Sequence, residues 1–158
     1  MKIVQTIEEL RLWTAEQRAH GKTIGLVPTM GFLHEGHMSL VDESKRQADS
    51  TVMSIFFNPL QFGPNEDLER YPRDLERDEE MAEKRGVDLL FVPSVAEMYP
   101  KATKTVIQVS GVTERLCGAS RPGHFDGVAT VVCKLFNLVQ PNYAFLFLFI
   151  RFLYFLRY

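Results

Sequence analysis

His34 and His37 stand three residues apart in the run Pro28-Thr29-Met30-Gly31-Phe32-Leu33-His34-Glu35-Gly36-His37. Residues at that spacing face the same side of a helical turn, so the two imidazoles can address one ligand. Three kinds of chemistry use such a pair. A zinc-protease helix needs two residues between its glutamate and its second histidine, and only Gly36 separates Glu35 from His37. Core histidines would be satisfied internally, but a turn carrying Gly31 and Gly36 directly after an apolar run belongs at an exposed sheet edge. The third use is anion binding. A helix starting near Gly36 would aim its first N–H groups at a ligand, and His34 and His37 would add donors to phosphate oxygens. A nucleotide is the guest this arrangement fits.

The elements that must hold this turn can be read on either side of it. Ile24-Gly25-Leu26-Val27 reads as a strand, and Leu40, Val41, Ser44 and Ala48 recur at helical spacing, with Lys45 and Arg46 in the last turn where cations suit the helix dipole. Thr51–Phe57 is β-branched and aromatic without polar alternation, as in a strand buried on both faces. It ends at Asn58-Pro59. Open α/β sheets bind ligands outside the carboxyl ends of their strands, which puts Asn58 and Gln61 at the edge that faces the histidine turn. The plainer alternative is that Asn58-Pro59 only stops a strand and Gln61 is solvated.

Farther out, Thr6 and Glu9 have capping-box spacing ahead of Ile7, Leu10 and Trp13, so the first element is expected to be a helix ending at Gly21. A loop over Phe62–Arg73 precedes a helix from about Asp74 to Lys84, with Leu75 and Met81 inward and Gly86 closing it. Its acids, Asp74, Glu76, Asp78, Glu79 and Glu80, read as a solvated face rather than a metal site. Asp88–Pro93 is a third buried strand, Ser94 and Glu97 repeat capping-box spacing, and Tyr99-Pro100 ends that short helix. Thr105–Val109 reads as an edge or excursion strand. A short helix near Thr113–Cys117 leads into the loop Gly118–Phe125, which carries Arg121 and His124. Asp126 is placed to cap a helix with Val128, Val131, Val132, Leu135, Leu138 and Val139 on its apolar stripe, and Tyr143 opens the next strand. Strands alternating with helices imply an α/β fold: a Rossmann-like parallel sheet with right-handed crossovers and helices on both faces.

The 158 residues suit one domain with a real core, and 46% apolar and 24% charged residues are ordinary for a globular chain. A net charge of −2 gives no bulk attraction to nucleic acid or an anionic membrane, so phosphate binding has to be local. The first residues have no apolar run of signal-peptide length, which points to the cytoplasm. Cys117 and Cys133 match no zinc or redox spacing and read as free thiols.

The pattern His34-Glu35-Gly36-His37 resembles the H-x-G-H signature of the class I nucleotidyltransferase superfamily. A longer match is more specific. Val27-Pro28-Thr29-Met30-Gly31, His34–His37, Ser54–Phe62 and Ser120-Arg121-Pro122-Gly123-His124-Phe125, in that order and spacing, resemble the pantothenate synthetase (pantoate–β-alanine ligase) family as far as about Ala144. The resemblance implies a cytoplasmic homodimeric ligase that joins pantoate to β-alanine at the expense of ATP, with Mg2+ bridging the phosphates. It assigns ATP to Met30, Gly31, Phe32, Leu33, His34, Glu35, Gly36 and His37, with His34 and His37 catalytic. Pro28, Met30, Asn58 and Gln61 would bind pantoate or β-alanine, and Arg121 and His124 would contact phosphate or carboxylate. No protein-held metal site is implied. Two rivals remain: an adenylyltransferase that stops after AMP transfer, and a non-catalytic remnant that only dimerises.

Family members continue after the match to Tyr143-Ala144-Phe145 with a G-x-K-D-x-x-Q segment, whose Lys reaches ATP phosphates and whose Gln completes the pantoate pocket. Here the chain reads Phe145–Tyr158, a run of Phe, Leu, Ile and Tyr broken by Arg151 and Arg157. It is too short and too interrupted for a membrane span. The reading adopted is a Rossmann-like ATP- and pantoate-binding domain over 1–145 and an anomalous apolar tail over 146–158, left by a frame change, truncation or sequence misassignment, with the family's C-terminal lid domain absent. Weak ATP binding and little synthesis are expected of it.

Overall fold

The computed structural model describes residues 1–62, 72–109, 123–146 and 154–157. Arg121, Cys117 and the expected helix near Thr113–Cys117 lie outside them. Strand β1 (Lys2–Val4) opens the chain, so the helix expected first is the second element. Three residues with one buried side chain carry no periodicity to announce a strand. Helix α1 (Ile7–Ala19) begins as its spacing predicts: Thr6 Oγ1 accepts from the Glu9 amide at 3.2 Å, and Glu9 accepts from the Thr6 amide at 3.2 Å. Strand β2 (Ile24–Thr29) and helix α2 (Glu35–Gln47) flank the histidine turn, and strand β3 (Ser50–Ile55) is buried along its whole length.

A one-turn 3-10 helix (Pro59–Gln61) follows, then α3 (Leu75–Arg85), β4 (Leu89–Phe91), α4 (Val95–Met98), α5 (His124–Val139), β5 (Tyr143–Leu146) and β6 (Tyr154–Arg157). The sheet order is β1-β4-β3-β2-β5-β6. Strands β1 to β5 are parallel, as expected, and β6 adds an antiparallel edge against β5. The tail thus contributes a strand where the sequence showed only apolar composition.

Two cores flank the sheet. Leu10 and Trp13 of α1 and Val131, Leu135, Leu138 and Val139 of α5 pack with Leu26, Val52, Leu89 and Phe91 on one face. Met38, Leu40 and Val41 of α2 and Ala82 of α3 pack with Val27, Met53, Ile55 and Leu90 on the other. Successive strand residues point to opposite faces, so continuous apolar strands are what helices on both sides require. From β2 the chain crosses through α2 to β3 on one side and returns later through α5 to β5 on the other. That reversal at β2 makes a crevice at the carboxyl ends of the strands, where the histidine turn lies.

Four local expectations change. Leu75 is 41% exposed and Asp78 is 1% exposed, so the inward face of α3 is rotated from the expected one and one of its acids is buried. Glu97 does not complete a box with Ser94; it reaches across to accept from the Ile7 amide at 2.8 Å, covering an otherwise unmet donor at the start of α1. Residues 105–109 form no strand: Thr130 Oγ1 accepts from the Ile107 amide at 3.0 Å and Asp126 from the Val109 amide at 3.2 Å. Asp126 therefore caps nothing in α5, whose N-cap is Gly123 with φ +80°. No helix among the described residues is long and apolar enough to cross a membrane.

Candidate active site

The turn leaves β2 through two left-handed residues, Gly31 (φ +78°) and Phe32 (φ +50°). Glycine fits the first without strain, whereas Phe32 has to be held. Thr29 anchors the strand end, donating to the Ser54 carbonyl at 2.7 Å and accepting from the Gly31 amide at 3.2 Å. The Asp78 carboxylate takes the next two amides, Phe32 on Oδ2 and Leu33 on Oδ1, each at 2.7 Å. The Phe32 side chain remains exposed under the Arg77 guanidinium, 5.4 Å from the ring centroid.

His34 is the N-cap of α2. Its Nδ1 accepts from the Gly36 amide at 3.1 Å, and its carbonyl accepts from the His37 amide at 2.9 Å. An imidazole that accepts through Nδ1 carries its proton on Nε2. The expectation of bare helix amides is corrected here. The amides of Phe32, Leu33, Gly36 and His37 all have partners within the protein. His37 packs beside His34 with ring centroids 4.1 Å apart and planes at 47°. Burial first, and the neighbouring His34 second, push the His37 pKa down from 6.5 to about 4, leaving it neutral at physiological pH.

This shift has a testable sign. The unfolded chain binds the His37 proton below pH 6.5 and the folded one only near pH 4, so stability is complete above 6.5 and falls on acidification through that window. Screened by solvent, the expected loss is about 1–2 kcal/mol. Urea unfolding between pH 7 and pH 4.5, compared with His37→Gln, measures it: the variant's pH slope should be shallower.

Asn58 and Gln61 meet the turn from β3. Asn58 is closed to solvent, and its amide is fully engaged: Nδ2 donates to Gln61 Oε1 at 3.2 Å and the Gly127 carbonyl at 3.0 Å, while Oδ1 accepts from Tyr99 Oη at 3.0 Å and the Leu60 amide at 3.3 Å. Burial raises the Tyr99 pKa to about 12, so its hydroxyl stays a donor. Asn58 thus grips Gln61 rather than lying open in the crevice. Gln61 in turn donates through Nε2 to Met30 Sδ, bringing the two polar loops into contact. His124 joins them from α5, its Nδ1 donating to the Gln61 carbonyl at 2.7 Å. Pro28 lies within β2, opposite Ser54. Glu35, in the first turn of α2, pairs with Arg85 at the end of α3.

The structure therefore unites Met30, Asn58, Gln61 and His124 in one hydrogen-bonded group and His34 with His37 in another, both at the carboxyl edge of the sheet. Asp78 and Tyr99 were not singled out from the sequence. Asp78 carried a signal, because it precedes buried Ala82 by one helical turn and so lies on the inward stripe of α3.

The profile of the pantoate-beta-alanine ligase family matches residues 2–147. The chain belongs to that family. Relatives named pantothenate synthetase include those of Caldicellulosiruptor bescii, 62% identical over 145 residues, and Acetivibrio thermocellus, 60% identical over 145 residues; each alignment takes in 92% of this chain, and 51% and 52% of those relatives respectively. A crystal structure of pantothenate synthetase from Thermus thermophilus superposes with a TM-score of 0.84 at 52% identity, covering 91% of this chain and 51% of that one. A pantoate-beta-alanine ligase from Francisella tularensis, complexed with beta-gamma ATP and beta-alanine, superposes with a TM-score of 0.83 at 38% identity, covering 91% of this chain and 55% of that one. This chain spans about half the length of the ligase relatives it matches. Among the described residues no group of three or more His, Cys, Asp or Glu could hold a metal ion.

Proposed function

We propose that this chain forms the ATP- and pantoate-binding part, over residues 1–145, of an enzyme that condenses pantoate with β-alanine. The observation that carries the reading is His34 at the N-cap of α2, its Nδ1 accepting from the Gly36 amide, with neutral His37 beside it, at the strand edge where such sheets bind nucleotides. Family membership supports the substrate assignment, and a family ligase from Francisella tularensis is described in complex with beta-gamma ATP and beta-alanine.

In the first step a pantoate carboxylate oxygen attacks the α-phosphorus of ATP and pyrophosphate leaves, giving a pantoyl adenylate. Negative charge grows on the α-phosphoryl oxygens and on the departing group, so fixed N–H donors gain strength toward the transition state. His34 and His37 supply them. His37, kept neutral by burial, does this without losing a proton to the phosphate. In the second step the β-alanine amine attacks the acyl carbon, AMP leaves and the amide forms. Here positioning dominates, since the mixed anhydride is already activated. Gln61, locked by Asn58 and His124 against Met30, orients pantoate, with Pro28 as the apolar wall beneath it. Magnesium bound to ATP as part of the substrate would neutralise charge on the phosphates.

Residues after Phe145 do not match the family's G-x-K-D-x-x-Q segment, so these 158 residues bind ATP weakly and turn over little. A cytoplasmic homodimer is the assembly proposed, and the net charge of −2 favours neither nucleic acid nor an anionic membrane as partner. Calorimetric titration with Mg·ATP, run beside an assay for pantoate-dependent release of AMP and pyrophosphate with and without β-alanine, tests the reading. Saturable binding that pantoate strengthens is expected. No binding at millimolar Mg·ATP would remove it, and pyrophosphate release indifferent to β-alanine, without free AMP, would favour an adenylyltransferase.

A further inference from the structure

Asp78 is the one acid of α3 that solvent does not reach. It is 1% exposed, and both carboxylate oxygens are spent on the backbone of another element, accepting from the Phe32 and Leu33 amides at 2.7 Å each. Two successive amides converging on one anion form the kind of nest that in many nucleotide proteins receives a phosphate. Here the protein fills the nest with its own carboxylate.

Two roles suit such a group. It could be a placeholder that a phosphate displaces, or a brace that fixes the turn while the ligand binds elsewhere. The packing decides between them. A Cβ built on Gly31 would lie 3.0 Å from Asp78 Oδ2, 3.0 Å from Ile55 Cγ2 and 3.3 Å from Phe57 Cζ. The space behind the turn does not admit a methyl group without displacement, much less a phosphate. Leu33, whose amide is one of the two, is fully buried. The helix bearing Asp78 is itself tied to α2, where Arg85 pairs with Glu35 in the first turn and lies 3.5 Å from Asp42 in the middle. The left-handed backbone at Phe32 also needs a restraint that its own side chain, exposed at the surface, does not provide.

We infer that Asp78 is a positioning residue: its buried carboxylate clamps the Phe32 and Leu33 amides and thereby sets where His34 enters α2 and where its Nε2–H points. This rests on the nucleotide-binding reading above for its functional half. The consequence is that Asp78 governs ATP affinity without touching ATP.

Asp78→Asn keeps the shape of the side chain and replaces one acceptor by an NH2 group, so one of the two amides faces a donor. The expected result is a folded protein, judged by far-UV circular dichroism. Phe32 and Leu33 amides should exchange faster, and Mg·ATP binding should be about ten-fold weaker than in the unaltered chain. Ala82→Gly, one turn farther along the same buried face, is the stability control: it should lower the melting temperature and leave both the two amides and ATP affinity unchanged. Unchanged exchange at Phe32 and Leu33 in Asp78→Asn would overturn the inference. So would unchanged or tighter ATP binding, which is what a displaceable placeholder predicts. Should Asp78→Asn not fold, the unaltered protein still decides. The Phe32 and Leu33 amides should keep their exchange protection when Mg·ATP is added; loss of protection on binding would refute the brace. If the unaltered chain binds no ATP, the nucleotide reading falls, and the amide measurements alone decide whether Asp78 clamps the turn.

Discussion

Replacing Gly127 by alanine is expected to destabilise the protein and loosen the Gln61 side of the site at once. Gly127 is buried in the first turns of α5, where helix propensity alone argues for the substitution, since alanine is favoured over glycine by about 1 kcal/mol. Packing argues the other way. A Cβ there would meet the Leu60 carbonyl oxygen at 2.1 Å, the Leu60 carbonyl carbon at 2.5 Å and the Gln61 Cα at 2.7 Å. All three are backbone atoms, so no side-chain rotation relieves the overlap, and the helix and the 3-10 turn must part. Overpacking of this kind costs roughly 1–3 kcal/mol and occasionally more, which outweighs the propensity gain. The net expectation is a loss of about 2 kcal/mol, read from urea unfolding midpoints.

The second effect of Gly127→Ala follows from what the two elements share. Asn58 Nδ2 donates to the Gly127 carbonyl, and His124, one turn earlier on α5, donates to the Gln61 carbonyl. Separating α5 from the 3-10 turn breaks both. Pantoate-dependent tightening of ATP binding should disappear in this variant while ATP binding alone persists, because the His34–His37 group hangs on α2. Equal loss of both would show that the two groups act as one unit.

The framework of the fold was legible because it rests on local signals that agree with the tertiary structure. Thr6 and Glu9 announce a capping box and form one, Gly86 announces a left-handed helix end and adopts φ +81°, and Thr51–Phe57 announces a strand buried on both faces. The histidine turn was legible for the same reason: strand, glycine, histidine and helix are contiguous in the chain. What could not be read were long-range hydrogen bonds. Glu97 has the right spacing to serve its own helix but binds Ile7 instead, and Asp126 binds Val109 instead of capping α5. Each is a choice between a local and a distant donor that spacing does not settle. Asp78 is the most consequential case. Its neighbours Glu76, Glu79 and Glu80 make the segment look like a solvated acidic face, and only the buried Ala82 one turn later shows that position 78 faces inward. The amide inventory of the turn followed from these contacts, which is why a bare helix terminus was expected where a capped one is found.

Substituting His34 by asparagine separates the capping that its imidazole provides from the phosphate contact proposed for it. As N-cap of α2 it accepts from the Gly36 amide through Nδ1. Asparagine is among the best N-cap residues and its Oδ1 can take over that bond, so stability should be unchanged or slightly higher, within about 1 kcal/mol. As a phosphate ligand, however, histidine offers a donor on the far side of a rigid ring, and the shorter asparagine side chain cannot place its NH2 group there while Oδ1 is capping. A hydrogen bond to a charged group contributes about 1.5–3 kcal/mol, so Mg·ATP should bind roughly 10- to 100-fold more weakly. His34→Ala is the companion. It loses the cap as well, so it should show the same loss of affinity together with a stability loss of about 1 kcal/mol. Calorimetric titration gives the affinities and thermal unfolding the stabilities. If His34→Asn binds ATP as tightly as the unaltered chain, then capping was the only function of His34, and the nucleotide site must be built on His37 and the opposite loop.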